Sequence, residues 1–272
     1  MKYSNINLDH LIGEEKRILV TGGAGFIGSN LIIRLLKNSS TKIFNLDKLG
    51  YASNTKNIKN VIEKKDKSLN HRYKLLKIDL SNQTHTTDAL KVADPDFIMH
   101  LAAESHVDRS IIYPDSFIKS NILGTFNLLN SAREHYESLP IKRKLNFKFL
   151  HISTDEVFGS LGKEGSFNEN SRYSPRSPYS ASKASSDHLV SSWFHTCCRS
   201  TVSLLCFNTR FHTCFHTHCE TSFIPVSYLF ASLVSKLFHV VGFISSFVPG
   251  RRVAGFILRG KSERVSVCLW RV

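Results

Sequence analysis

A glycine-rich turn is the feature that most constrains the fold of this 272-residue chain. A short apolar run at residues 18–20 precedes the turn, and such a run is typical of a parallel strand that is buried on both faces. Gly22, Gly25 and Gly28 follow, and an apolar helical pattern extends over residues 26–36. This order predicts a strand, a tight turn and a helix whose free N–H groups bind the pyrophosphate of a dinucleotide.

An acidic residue follows at the distance that a dinucleotide site requires. A second strand-like run at residues 42–46 ends at Asp47, about 20 residues beyond the glycines. A carboxylate at this position accepts hydrogen bonds from the ribose of an adenosine. Glycines alone would also suit a tight turn without a ligand, but strand, turn, helix, strand and acid in this order favour a dinucleotide site.

Apolar runs alternate with helical patterns along the next hundred residues. Further strands are predicted at residues 73–80, 95–103 and 147–153, and a long helix at residues 116–136. The alternation predicts an α/β fold with a doubly wound parallel sheet of the Rossmann type, in which ligands bind beyond the carboxyl ends of the strands. Asp79, near the end of the third run, either contacts adenine or is an ordinary residue of a strand end.

A hydroxyl and two adjacent carboxylates follow the fifth strand, at Thr154, Asp155 and Glu156. Two like charges that lie close together raise the pKa of one of them, which leaves one acid and one base. The arrangement is therefore suited to proton transfer at the edge of the sheet. The start of a solvated loop is the alternative interpretation.

A tyrosine and a lysine are predicted to share one face of a helix. The helix is expected to begin at Pro178, with Ser177 as its capping residue. Tyr179 and Lys183 then lie one turn apart. A nearby ammonium lowers the pKa of a phenol from its usual value near 10, and this predicts that Tyr179 is a base in a hydride-transfer reaction. Two unrelated surface residues are the alternative.

These motifs resemble the extended short-chain dehydrogenase/reductase family and, within it, the dTDP-glucose 4,6-dehydratases. The resemblance runs almost without interruption from about residue 17 to residue 194 and is strongest at residues 47–54, 100–111, 153–159 and 177–188. It implies a lyase that converts dTDP-glucose to a 4-keto-6-deoxy sugar through transient oxidation by bound NAD. The alternatives are another nucleotide-sugar epimerase or dehydratase, or an inactive NAD-binding remnant.

The resemblance also implies a role for each reactive side chain. Tyr179, with Thr154 and Lys183, would oxidise the C4 hydroxyl of the sugar to a ketone. Glu156 would remove the acidified C5 proton. Asp155, in its protonated form, would deliver a proton to the leaving C6 hydroxyl.

Positions that contact the ligands follow from the same resemblance. Ser105, Ser120 and Thr154 fall where the family contacts cofactor or substrate, with Ser105 and Thr154 assigned to the substrate. Glu104 and His106 lie beside them and are expected to be structural, and no metal is expected. The positions expected to line the NAD are Gly22, Gly25, Phe26, Ile27, Gly28, Asp47, Lys48, Asp79, Leu80, Ala102, Ala103, Tyr179 and Lys183.

The family pattern stops near residue 195, although residues 201–208 could still form a sixth strand. We therefore divide the chain into an NAD-binding Rossmann domain, residues 1–195, and a tail, residues 196–272, in place of the family's smaller substrate domain. All six cysteines and only two of the 22 acidic residues lie beyond residue 187. This abrupt change of composition favours a frameshift, a read-through or a chimeric sequence.

Two other interpretations of the tail are weaker. A membrane anchor at residues 222–248 is interrupted by Pro225, Lys236 and His239, and a lysine in mid-membrane costs about 3 kcal/mol. A metal site has candidate ligands but no Cys-x-x-Cys pair and no repeated spacing. These candidates are Cys206, His212, Cys214, His216, His218 and Cys219.

The net charge of +14 does not by itself predict a nucleic-acid partner. The lysines of residues 1–187 are scattered as on a solvated surface, and the tail is basic mainly because acids are missing. The absence of cysteine from residues 1–187 and of a signal-peptide pattern at residues 1–9 predicts a cytoplasmic domain. The resemblance implies a homodimer.

Overall fold

The computed structural model describes residues 8–64, 66–160, 167, 171–197, 201–207, 213–218 and 269–270. Its strands are β1 Arg17–Thr21, β2 Lys42–Asp47, β3 Tyr73–Lys77, β4 Phe97–His100, β5 Lys148–Ile152, β6 Thr201–Phe207, β7 Thr213–His218 and β8 Leu269–Trp270. Its α-helices are α1 Asp9–Ile12, α2 Phe26–Asn38, α3 Lys56–Lys64, α4 Gln83–Ala93, α5 Val107–Ile112, α6 Pro114–Phe117, α7 Gly124–Ser138, α8 Ile141–Lys144 and α9 Pro178–Cys197.

The strands form one sheet in the order β3-β2-β1-β4-β5-β6-β7-β8. Strands β1 to β6 are parallel to one another, and β7 is antiparallel to β6. The chain moves outward from β1 to β3 and then returns to start β4 on the other side of β1. The predicted doubly wound sheet is confirmed, and the point between β1 and β4 where the order reverses is where such sheets bind ligands.

Helices cover both faces of the sheet, which explains why the three central residues of β1, at 18–20, are all apolar. Ile18 and Val20 pack on one face with Ile32 of α2, and Leu19 packs on the other face with Leu128 of α7. All five side chains are fully buried. Each such side chain contributes about 1.5–3 kcal/mol by its removal from water. Burial on both faces thus holds the carboxyl end of β1 in a fixed place.

The long helix predicted at residues 116–136 is confirmed, but it contains an irregularity. Helix α6 continues into a π-helical turn at Ile118–Leu123, and α7 follows directly. A π turn inserts one extra residue per turn and often marks a functional site. Short 3-10 helices lie at Lys67–Arg72 and at Asp155–Phe158.

The sheet extends past residue 195. The predicted sixth strand is confirmed as β6, which pairs with β5, and Cys206 of β6 lies opposite Cys214 of β7. The domain boundary at residue 195 stays a prediction. His212, Cys219 and the segment 222–248 lie outside the described residues. Within the part of the chain that the structure describes, no helix is long and apolar enough to cross a membrane.

Candidate active site

The glycine turn follows β1 directly and leaves no room for side chains. Gly22 has a positive φ of 70°, and a Cβ there would lie 2.7 Å from the Cα of Ala102. A Cβ on Gly28 would overlap the carbonyl oxygen of Gly22. Gly25 is the N-cap of α2, and no side chain caps that helix. The first N–H groups of α2 are therefore available to an anion, which fits the pyrophosphate of a dinucleotide.

Other residues predicted to line the cofactor lie beside this turn. Phe26 and Ile27 are exposed at the start of α2, with 58% and 40% of their surface accessible. The Ala102 N–H donates to the Thr21 hydroxyl at 3.1 Å, which holds the segment after β4 against the turn, and Ala103 is exposed. The structure thus brings together the glycines and the two alanines that the sequence places about 80 residues apart.

The Asp47 carboxylate at the end of β2 is buried and binds protein groups. Its oxygens accept hydrogen bonds from the Ala24 N–H at 2.9 Å, the Leu49 N–H at 2.8 Å and the Ser53 hydroxyl at 2.8 Å. It therefore joins the glycine turn to the loop after β2. Because a carboxylate has about four acceptor positions, one remains for the predicted ribose contact.

Two bridges join the loop after β2 to the segment after β4. The Lys48 ammonium lies 2.7 Å from a Glu104 carboxylate oxygen and 2.8 Å from the Ser120 hydroxyl. The Arg109 guanidinium stacks over the Tyr51 ring at 4.1 Å. Since β1 lies between β2 and β4 in the sheet, both bridges span the end of β1. The spacing of residues in the sequence did not reveal either bridge.

The remaining positions assigned to ligand contacts have ordinary surroundings. Asp79 is exposed and accepts the Ser81 N–H at 2.9 Å, as in a common turn. Leu80 is buried, and its carbonyl oxygen accepts a hydrogen bond from the Asn127 side chain at 2.8 Å. Ser105 is exposed next to Glu104. Their roles toward cofactor and substrate stay predictions.

Thr154 and Tyr179 connect the end of β5 to α9. Thr154 caps the 3-10 helix by accepting the Glu156 N–H at 3.3 Å, and its hydroxyl lies near enough to the Tyr179 phenol to influence the pKa of that phenol. The pKa of Tyr179 is raised, chiefly by burial and next by the charge of Glu156, while the Thr154 hydroxyl lowers it. The predicted lowering of this pKa is therefore wrong for the protein alone, because burial disfavours the phenolate more than its neighbours stabilise it.

The two carboxylates differ in their surroundings. Asp155 is buried, and its Oδ1 lies 3.5 Å from the Thr154 hydroxyl, whereas Glu156 is half-buried. Burial raises the pKa of Glu156, and the charge of Asp155 raises it further. The expectation that adjacent carboxylates raise one pKa is confirmed, but the raised pKa is that of Glu156, the residue assigned as the base, and not that of Asp155, the residue assigned as the acid. A carboxylate with a raised pKa is a stronger base once it is ionised.

Helix α9 begins at Pro178, as predicted, and the Ser177 hydroxyl accepts the Ser180 N–H at 3.0 Å as its cap. Lys183 lies one turn after Tyr179 and is 3% exposed. Its ammonium donates to the carbonyl oxygen of Ile152 at 2.7 Å, which ties the helix to the end of β5.

A buried hydrogen-bonded chain that sequence analysis missed passes through His100. The Thr125 hydroxyl donates to the Asn121 carbonyl at 2.6 Å, so its oxygen accepts from Nε2 of His100 at 2.9 Å. Nδ1 of His100 then accepts from the Thr21 hydroxyl at 2.7 Å. Burial lowers the pKa of His100 well below its usual value, which keeps its imidazole ring neutral within this series of hydrogen bonds.

Asn121 extends this chain from the π turn to α9. Its amide accepts the Glu104 N–H at 2.8 Å and donates to the Glu104 carbonyl at 2.9 Å and to the Ser182 hydroxyl at 2.9 Å. Ser182 in turn donates to the Tyr179 carbonyl at 2.7 Å. The cofactor segment and the helix of Tyr179 are therefore linked. Only the π turn brings Asn121 into this position, and apolar periodicity does not predict such a turn.

Comparison with curated proteins finds dTDP-glucose 4,6-dehydratases. A probable dTDP-glucose 4,6-dehydratase of Sinorhizobium fredii is 48% identical over 180 residues, which are 66% of this chain and 49% of the relative. The dTDP-glucose 4,6-dehydratase of Neisseria meningitidis is 45% identical over 194 residues, covering 71% and 53%. The chain therefore spans about half the length of the curated relatives that it matches.

Solved structures give the same fold. A dTDP-glucose 4,6-dehydratase from Streptomyces venezuelae, solved with NAD bound, is 35% identical with a TM-score of 0.59, and the match covers 69% of this chain and 55% of that one. The UDP-glucose 4-epimerase of Thermus thermophilus, in complex with NAD, is 26% identical with a TM-score of 0.58, covering 69% and 53%.

A match to a protein-family model covers far more than half of the chain. The model describes the GDP-mannose 4,6 dehydratase family and matches residues 19–226. The matched part includes the glycine turn, the carboxylate pair and the tyrosine and lysine of α9. The chain belongs to the GDP-mannose 4,6 dehydratase family.

Proposed function

We propose that this chain carries the cofactor site and the catalytic side chains of an NAD-dependent dTDP-glucose 4,6-dehydratase, a lyase that forms dTDP-4-keto-6-deoxy-glucose. One observation carries the proposal: Lys183 of α9 donates to the carbonyl oxygen of Ile152 at 2.7 Å, and the carboxylate pair follows directly after that strand end, so the helix of Tyr179 and the carboxylate pair share one site. The relatives named dTDP-glucose 4,6-dehydratases support the choice of substrate.

The residues present fit NAD. The pyrophosphate would lie on the N–H groups that follow Gly25, where a small residue and an uncapped helix leave room. The adenosine would lie by Asp47 and Lys48, with the remaining acceptor position of Asp47 turned to a ribose hydroxyl. NAD, when bound, supplies a hydride acceptor for C4 of the sugar and a hydride donor for C6.

The protein side chains would move the protons. Tyr179, assisted by Thr154, takes the proton from the C4 hydroxyl, and the Lys183 ammonium stabilises the phenolate. The resulting ketone acidifies the C5 proton, which Glu156 removes. Asp155 then protonates the C6 hydroxyl, which leaves as water, and Glu156 would return its proton to C5 when C6 receives the hydride. A raised pKa of Glu156 suits this task, because a stronger base needs less help from the ketone.

The test is incubation of the purified full chain with NAD and dTDP-glucose, followed by the alkali-induced absorbance of a 4-keto-6-deoxy sugar. Formation of this product supports the proposal. In a parallel incubation with UDP-glucose, conversion of that sugar to its epimer would favour an epimerase instead. NAD binding without any product would support a second candidate, a catalytically inactive NAD-binding remnant.

A homodimer and a cytoplasmic location are further proposals. Exposed apolar side chains on α5 and the following segment support the first, among them Ile111 and Ile112 with 66% of their surface accessible each. The lack of cysteine in residues 1–187 supports the second. Light scattering that finds only the mass of a monomer would contradict the dimer.

A further inference from the structure

Asp187 is a buried acid to which the proposed reaction assigns no task. It lies on α9, one turn after Lys183 and two turns after Tyr179, and it is 1% exposed. Ionised groups are rarely buried so completely unless other groups compensate for the lost water. The surroundings of Asp187 therefore need a reason.

Three parts of the chain meet at this carboxylate. Oδ2 accepts hydrogen bonds from the Ser153 hydroxyl at 2.5 Å and from the Tyr173 phenol at 3.3 Å. Oδ1 lies 3.1 Å from Nε2 of His151. His151 and Ser153 flank the end of β5, whereas Tyr173 belongs to the loop that leads into α9. We call Asp187, Lys183 and these three residues the Asp187 cluster.

The protonation states in the Asp187 cluster show which groups donate hydrogen bonds to the Asp187 carboxylate. Burial and the charge of Lys183 lower the pKa of His151 well below its usual value, so the ring is neutral and Nε2–H can donate to Asp187. Burial raises the pKa of Asp187 to about 6, while Lys183, Ser153, Tyr173 and His188 lower it. Asp187 is therefore an anion at neutral pH, with the Lys183 ammonium 3.4 Å from the same Nε2.

We propose that Asp187 is a positioning residue: its carboxylate holds the end of β5 and the Lys183 ammonium in one arrangement, and so sets both relative to Tyr179. Ser153, which Asp187 binds, directly precedes Thr154, and Lys183 donates to the carbonyl oxygen of Ile152. The threonine and the lysine of the reaction thus both adjoin the end of β5 to which Asp187 is hydrogen-bonded. This inference rests on the proposed function, in which Lys183 stabilises the Tyr179 phenolate.

The direction in which the pKa of Tyr179 changes when Asp187 is replaced distinguishes a positioning role from a direct effect of the Asp187 charge. The negative charge of Asp187 by itself raises the pKa of Tyr179. Removing only that charge would lower the pKa of Tyr179, whereas displacing the Lys183 ammonium would raise it. The experiment therefore titrates Tyr179 in the full chain saturated with NAD, by NMR of protein labelled with 13C at tyrosine Cζ. The resonance that Tyr179→Phe removes is that of Tyr179.

For Asp187→Asn we expect an upward shift on the order of one pKa unit, and a smaller upward shift for Ser153→Ala, which keeps the charge of Asp187. Asp88→Asn, at an exposed acid of α4, is the matched control and should cause none. No shift or a downward shift in Asp187→Asn overturns the proposal. If Asp187→Asn does not fold, as judged by circular dichroism, the result for Ser153→Ala decides.

Two further measurements keep this proposal distinct from the proposed function. Lys183→Met should also raise the pKa of Tyr179. If Lys183→Met does so and Asp187→Asn does not, positioning by Asp187 fails while the role of Lys183 stands. If Lys183→Met has no effect, the role of Lys183 fails and the positioning proposal fails with it. Turnover of dTDP-glucose by the unaltered chain reports on the proposed function alone.

Discussion

The glycine turn after β1 and the Asp187 cluster belong to one site but are held by different forces. The turn is fixed by missing side chains, because Gly22 has a positive φ and Gly28 has no room for a Cβ. The Asp187 cluster is fixed by hydrogen bonds among buried polar groups that lie 34 and 36 residues apart in sequence. The first arrangement can be read from local spacing, whereas the second exists only once α9 packs on β5.

The largest effect is expected where the chemistry is proposed. Glu156→Gln removes the base and should reduce product formation by about 10²–10⁴-fold, measured with saturating NAD and dTDP-glucose. NAD affinity should not change, because Glu156 lies beyond β5 and not at the glycine turn. Glu137→Gln, an exposed position on α7, is the control and should leave both unchanged. Loss of NAD binding in Glu156→Gln would mean that the two regions are not separable.

The pH dependence of stability should single out the Asp187 cluster. An acid whose pKa is raised on folding, here to about 6, binds more protons in the native state than in the unfolded state between about pH 4 and pH 6. Its contribution is therefore favourable below pH 4 and is lost as the pH rises through 6. We expect the unaltered chain to lose at most about 3 kcal/mol relative to Asp187→Asn over this range.

The measurement for this comparison is urea unfolding of both proteins at several pH values. The low pKa values of His100 and His151 act in the opposite direction, and both proteins contain them. The difference between the proteins therefore isolates Asp187. A difference that does not vary between pH 4.5 and pH 7 would contradict the burial of this charge. A destabilising effect of Asp187 at neutral pH would fit a positioning role, because residues needed for function often lower the stability of the protein.

Sequence predicts the parts of the site that depend on local spacing, such as the glycine turn, and misses those that depend on tertiary packing, such as the Asp187 cluster. The alternation of strands and helices, the turn and the start of α9 rest on local spacing, capping and periodicity, and the structure confirms them. The prediction of a lowered pKa for Tyr179 is wrong for the protein alone, because burial raises this pKa and that burial depends on packing of distant segments. Asn121, His100 and Asp187 were missed, because no spacing rule identifies buried partners that meet only in the folded chain.

Substitutions in the glycine turn should reduce stability and NAD affinity through steric clashes and not through a change of charge. Gly28→Ala places a Cβ against the Gly22 carbonyl and should cost about 1–3 kcal/mol of unfolding free energy, together with most of the NAD affinity. Gly50→Ala is the matched control, since its Cβ would come no closer than 3.5 Å to the Lys48 side chain. Urea unfolding and NAD titration measure both. Equal losses in the two variants would show that the turn has no special need for glycine at position 28.

The smallest effect is expected at the bridge across the end of β1. Lys48→Met breaks a partly exposed ion pair with Glu104, and such pairs contribute about 0.2–1 kcal/mol. If the bridge lies over bound NAD, its loss should weaken NAD binding by the same free energy, which corresponds to a Kd that is up to about fivefold higher. Lys91→Met is the control, because it removes a more exposed pair with Asp88 on α4 and should leave the Kd unchanged. An equal Kd for both variants would place the Lys48 bridge outside the cofactor site.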